Sequence, residues 1–237
     1  TKLQQAKYWA TVELIDQNVG RVLDALEETG QREKTVVVFM SDHGETLGDH
    51  GLRAKGCRFY EGLVRVPLIF RWPGHVEAGV VSEALVELLD MSATLVDVAD
   101  APGLDELQGQ TLWPLLSGQV SPVHHRNFVR SEYYDALDAA FIGTGSPDTP
   151  STDHAVENDS SVRGTYGTMY RDRRYKLSLY HGHSLGELYD LESDPWEFEN
   201  LWDEPASGEL KSELIRASFD ASIFAGVDVG TGRIAPM

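Results

Sequence analysis

Two Asp-His pairs stand close together in "SDHGETLGDHG": Asp42-His43 and Asp49-His50. Just beyond them Lys55 precedes Gly56 in "GLRAKGCRF". A carboxylate offers hard oxygen donors and an imidazole offers nitrogen, so Asp42 and His43 together can hold a divalent cation if other ligands join them. Lys55 can act as a point charge on an anion held at that cation. The plainer reading is a solvated loop or helix cap, with Lys55 as a surface charge. The apolar run "TVVVFM" (Thr35–Met40) runs straight into this stretch. Buried charge is costly unless something pairs with it. These side chains therefore lie in solvent, or something positive sits between them.

Several elements must position them. Tyr8, Val12, Ile15, Val19, Val22, Leu23 and Leu26 recur at helical spacing, and Gly30 marks a stop. "KTVVVFMSD" reads as a buried strand, which places Asp42 and His43 at its carboxyl end, where open α/β sheets bind ligands. The Gly-rich polar stretch to Gly62 reads as loop. "VRVPLIFRWPG" reads as a second strand with Pro67 at its start. "EALVELLDMSATLVDVAD" predicts a short strand and then a helix of about 10 residues, capped by Asp90 or Ser92. This order predicts an α/β layer with parallel strands.

The second half has another grammar. "NFVRSEYY", "YGTMYRDRRYKLSLYHG" and "GELYDLESDP" predict short antiparallel strands, with "RDRR" at a hairpin tip. "ASGELKSELIRASFDASIFAG" predicts one helix. A long surface loop is expected over about 137–164. Within it, Asp153 and His154 are candidates to touch substrate, and Asn158 to Ser160 form a glycosylation acceptor pattern. The expected division is residues 1–120 and 121–237.

Composition bounds the function. The chain has 237 residues and a net charge of −18, which argues against a nucleic-acid backbone as partner. No apolar run reaches the roughly 18–20 residues of a membrane span. A single cysteine, Cys57, excludes an internal disulfide framework. The sequence opens at Thr1 in a helical pattern, which suggests the later part of something longer.

"TVVVFMSDHGETLGDHGLRAKGCRFYEGLVRVPLIFRWPG" resembles the C-terminal half of the sulfatase family, in the alkaline phosphatase superfamily. "ELLDMSATLVDVADAP", "LQGQTLWPLLSG", "RDRRYKL" and "ELYDLESDPWEFENL" fit in the same order. The resemblance implies an alkaline-phosphatase-like α/β sandwich: the late part of the main mixed sheet with flanking helices, plus a small C-terminal antiparallel sheet with a helix. It implies Asp42 and His43 as metal ligands, although many members carry Asn or Gln in place of His43. Ca²⁺ is the first expectation, with Mn²⁺ and Mg²⁺ as alternatives. It implies Lys55 as the catalytic cation on the sulfate group. His50 is carried as a substrate-binding candidate and Asp49 as a loop residue.

One departure is large. The family's C/S-x-P-x-R motif, whose first residue becomes the formylglycine nucleophile, is not in this sequence, and neither is its Asp-Asp metal pair. The Arg58-Phe59 that follows Cys57 does not continue that motif, so Cys57 reads as a wall residue. In an intact enzyme the resemblance implies a metal that activates a hydrated-aldehyde hydroxyl for attack on sulfur. This chain alone is expected to be inactive. The expected partners are a small-molecule or carbohydrate sulfate ester and the missing N-terminal half, with self-association through an exposed sheet edge as a further expectation. The alternatives are a phosphonate monoester or phosphodiester hydrolase of the same superfamily, and a non-catalytic truncated chain.

"GHSLG" (Gly182–Gly186) matches the G-x-S-x-G nucleophile elbow, which needs a strand before it and a helix after it. A strand follows by pattern and no histidine lies beyond Ser184, so it reads as a hairpin turn. His124 and His125 read as part of a polar connection, and His181 and His183 as turn residues, with a cleft edge as the lesser alternative. Trp72, Trp113, Trp196 and Trp202 read as packing anchors.

Overall fold

The computed structural model describes residues 2–103, 107–134 and 166–227. The loop expected at about 137–164, with Asp153, His154 and Asn158, lies outside them. The elements run α1 (Lys2–Glu28), β1 (Val37–Met40), α2 (Glu61–Val64), β2 (Leu68–Arg71), α3 (Leu89–Val98), α4 (Trp113–Leu116), β3 (Val129–Tyr134), β4 (Tyr166–Arg171), β5 (Tyr175–His181), β6 (Gly186–Asp190) and α5 (Gly208–Val227). They fall into two compact units: Thr1–Lys55, Tyr60–Val129 and Ala221–Met237 form one, Gly56–Phe59 and Arg130–Asp220 the other. No helix among the described residues is long and apolar enough to cross a membrane.

In the first unit, α1 ends at Gly30, whose φ of 66° suits a left-handed helix stop. The Gln31 N–H closes the end by donating to the Leu26 carbonyl at 2.8 Å. The apolar spacing made the helix, but α1 buries none of its described residues. Val22 is 57% exposed and Trp9 68%.

β1 departs from expectation in two ways. It is half-buried throughout rather than buried. Its partner among the described residues is β2 alone, and a core strand needs cover on both edges and both faces. The pair is also antiparallel rather than parallel, with Val37 opposite Arg71 and Met40 opposite Leu68. Parallel strands need a crossover connection. Here the chain returns through the long loop after Met40 and the single turn of α2, with no crossover helix between the strands.

α3 has the expected length, but its start differs. Leu88 occupies the cap position, Asp90 sits in the first turn, and Ser92 lies inside the helix. The short strand expected before it reduces to one bridge, Leu85 to Arg126. Asp90 is fully buried and works as a hub. It accepts the backbone N–H groups of Glu87 and Gln110, each at 2.8 Å, and the Arg126 guanidinium. His125 Nε2 lies 3.5 Å from the same carboxylate. His125, in the connection between α4 and β3, is therefore packed against a buried acid. Burial alone would raise the Asp90 carboxyl; His125, the two backbone N–H groups and Arg126 hold it below its usual value. Thr94 Oγ1 donates to the Asp90 carbonyl at 2.6 Å and accepts from the Leu112 N–H at 2.8 Å. This joins α3 to the segment that opens α4. A Cβ on Gly109 would lie 2.1 Å from the Leu89 carbonyl oxygen, so only glycine permits that approach.

In the second unit the sheet order is β3-β4-β5-β6, and β4, β5 and β6 pair antiparallel. The Arg171–Arg174 tip and the Gly182–Leu185 turn fall where the sequence places them. Met169, Leu177 and Leu188 are buried. Lys176, on the face of β5 opposite Leu177, is also buried and donates to Glu197 Oε1 at 2.5 Å. Trp202 packs on Gly186, where a Cβ would meet its ring at 2.5 Å, and Lys211 on α5 sits 4.6 Å above the ring. Trp196 is not an anchor: it is 74% exposed, because the buried Glu197 beside it takes the inward position.

Candidate functional site

The site begins where β1 ends. Ser41 Oγ donates to the His43 carbonyl at 2.9 Å, and the His43 N–H donates to Asp42 Oδ1 at 2.9 Å. The turn is therefore closed by its own side chains. The Gly44 N–H then donates to the Leu63 carbonyl at 2.8 Å. A Cβ on Gly44 would lie 1.9 Å from the Gly62 carbonyl oxygen, so the chain can pass α2 this closely only as glycine.

The following loop brings Lys55 back. Thr46 is buried, and its Oγ1 donates to the Ala54 carbonyl at 2.7 Å. Gln5 on α1 donates to the Leu47 carbonyl at 3.0 Å. Leu47, His50 and Ala54 all adopt left-handed backbone, with φ of 50°, 51° and 64°. Each such non-glycine residue carries strain of about 1–3 kcal/mol, and strain of this kind gathers at functional loops.

As a result Lys55 Nζ lies 2.9 Å from His43 Nε2. Asp42 Oδ2 lies 3.6 Å from the same nitrogen. His43 Nδ1 lies 2.8 Å from the Gly44 carbonyl oxygen. These distances tie Asp42, His43 and Lys55 into one group, and the Asp42 carboxylate is 83% exposed. The His43 N–H, helped by the charge of Lys55, holds that carboxyl below its usual value against the opposing effect of burial. His50 belongs to a ring stack with Tyr60, 3.9 Å between centroids and 9° from parallel.

The donor chemistry fits a divalent cation as half of a coordination set. An oxygen and a nitrogen 3.6 Å apart can share one ion at metal–ligand distances of about 2.0–2.6 Å. Among the described residues no three His, Cys, Asp or Glu side chains come together as a metal cluster. Further ligands would have to join these two.

The rival elbow fails on context. β5 leads through the turn into β6, a strand rather than a helix, with Ser184 exposed at the tip. Cys57 packs against Gly167, where a Cβ would come 2.7 Å from its sulfur. Sequence reasoning missed Thr46 and Gly62, which position the group through the backbone and carry no signal of chemistry in their residue types.

The family model described as Sulfatase matches residues 3–101, which include α1, β1 and the whole Asp42–Lys55 loop. The chain carries part of a sulfatase domain. N-acetylglucosamine-6-O-sulfatase of Bacteroides thetaiotaomicron is 30% identical over 211 residues, 88% of this chain and 34% of that protein. A solved structure of an enzyme with its substrate D-glucosamine-2-N,6-O-disulfate superposes with a TM-score of 0.72 at 27% identity, covering 92% of this chain and 40% of that one. Phosphonate monoester hydrolase of Agrobacterium radiobacter gives 0.71 at 27% identity, covering 89% and 39%. The chain spans about a third of the length of the curated relatives it matches. These likenesses bear out the α/β fold of the superfamily.

Proposed function

We propose that this chain is the part of a sulfate-ester hydrolase that supplies Asp42 and His43 to a divalent cation and Lys55 to the sulfate group. The observation that carries the reading is the convergence of the three side chains within 3.6 Å at the carboxyl end of β1. When bound, a divalent cation such as Ca²⁺ supplies Lewis-acid stabilisation of sulfate oxygens. Asp42 contributes a carboxylate already held in its ionised form, and His43 contributes a ring nitrogen. Lys55 places an ammonium where charge develops on the sulfate oxygens, and its role is electrostatic. His50, fixed against Tyr60, is proposed to border the substrate.

The formylglycine nucleophile of the family is proposed to come from polypeptide outside this sequence, so that the chain alone does not turn over. The sugar sulfatases among its relatives favour a carbohydrate sulfate as substrate. A second reading, hydrolysis of phosphonate monoesters, is favoured by two hydrolases of that name with TM-scores of 0.71. The test is a parallel assay of the complete enzyme on a glucosamine 6-sulfate, an aryl sulfate and a phosphonate monoester. Turnover of the sulfates, absent from the isolated chain, supports the first reading. Preference for the phosphonate selects the second, and full sulfatase turnover by the isolated chain overturns the proposed division of labour.

A further inference from the structure

We infer that Gly44 is a positioning residue for His43, whose ring it fixes as the neutral Nδ1–H tautomer. Two contacts lead to the same answer independently. A backbone carbonyl can only accept, so Nδ1, 2.8 Å from the Gly44 oxygen, must carry the proton. A lysine ammonium can only donate, so Nε2, 2.9 Å from Lys55 Nζ, must carry the lone pair. The one group that would prefer the other tautomer is the Asp42 carboxylate, and at 3.6 Å it is too far for a hydrogen bond.

The arrangement is built into the backbone rather than left to the ring. The Gly44 N–H is tied to the Leu63 carbonyl, and its α-carbon passes Gly62 so closely that no side chain fits. Gly44 therefore holds its own carbonyl in place under Nδ1. The consequence is directional. The lone pair leaves the ring on the side shared by Asp42 and Lys55, so a cation would take it once the Lys55 ammonium moves off Nε2, with no change of tautomer. A histidine ligand is commonly oriented by what its other nitrogen binds, and that partner tunes the site. The use of this lone pair for a cation rests on the function proposed above; the tautomer itself does not.

The experiment is nitrogen NMR of the full chain labelled in its histidines, in mildly alkaline buffer. His43 is assigned by the loss of its signals in His43→Asn. The expected pattern is a pyrrole-like shift at Nδ1 and a pyridine-like shift at Nε2. Lys55→Met should keep that pattern, because the carbonyl and not the ammonium sets it. Gly62→Ala should keep it too, since a Cβ there meets only Asp49 Oδ2, at an ordinary 3.5 Å. Gly44→Ala should lose it and move toward the Nε2–H form that a free ring favours in water, while His125 signals stay in place and report intact folding of the Asp90 hub. A wild-type His43 in the Nε2–H form overturns the inference, as does a switch caused by Lys55→Met or an unchanged pattern in Gly44→Ala. Added Mn²⁺ separates the two readings. Selective broadening of His43 supports its use as a ligand. An Nδ1–H pattern with no broadening leaves the positioning role standing and counts against the cation.

Discussion

Lys176 Nζ and Glu197 Oε1 meet 2.5 Å apart, with side chains 0% and 2% exposed. Two charges out of water are tolerated only as a pair. Lys176→Met should destabilise the fold by about 3–5 kcal/mol, because it removes the cation paired with the buried Glu197 carboxylate. The double variant Lys176→Met with Glu197→Leu should recover most of that loss. Urea unfolding of the single and double variants measures both.

The Asp90 hub predicts the acid limit of the first unit. Its carboxyl is held below the usual 3.8 in the folded chain, so the stability it contributes is complete above that value. That contribution should drain away as pH falls through the lower folded value. Asp90→Asn should be less stable at neutral pH and show a flatter loss of stability in acid. Thermal melts across that pH range read the difference.

Gly186 faces the Trp202 ring so closely that an added methyl would sit 2.5 Å from it. Gly186→Ala should destabilise by about 1–3 kcal/mol, as overpacking does. Trp202 fluorescence, followed through unfolding, reports both the shift of the ring and the change in midpoint.

In the complete enzyme Lys55→Met should lower kcat by about 10²–10³-fold, the usual effect of removing a donor from developing charge. Lys55 is exposed, so the melting temperature should barely move. A small kinetic change would assign Lys55 to the surface.

Chelation should abolish turnover of the complete enzyme, and Ca²⁺ or Mn²⁺ should restore it. Asp42→Asn removes the charge proposed to hold the cation and should raise the cation concentration needed by about tenfold or more. Activity that survives exhaustive chelation would remove Asp42 and His43 from the proposed role.

Most local structure was legible because it depends on short-range chemistry. The spacing of Tyr8 to Leu26 made α1, Gly30 ended it, and the β5–β6 turn at "GHSLG" followed from the strand on either side. The grouping of Asp42, His43 and Lys55 was approached through motif order, which pattern carries well. Other features were hidden because they depend on distant partners. Nothing near Asp90 in the chain announces Arg126 or Gln110, so the residue read as a helix cap. Strand direction was misread for a similar reason: an apolar β-branched run suits either direction, and only the path of the loop decides. Trp196 was misplaced because an aromatic residue beside an acid gives no sign that the acid goes inside.

The absence of any buried described residue on α1 has a consequence for handling the chain in solution. Its apolar stripe is adhesive, while a net charge of −18 keeps copies apart. Mutual repulsion is screened within about 8 Å at physiological ionic strength, whereas apolar attraction is not. Ionic strength should therefore act as the dial between dispersed and clustered molecules, with dilute buffer favouring the former and strong brine the latter.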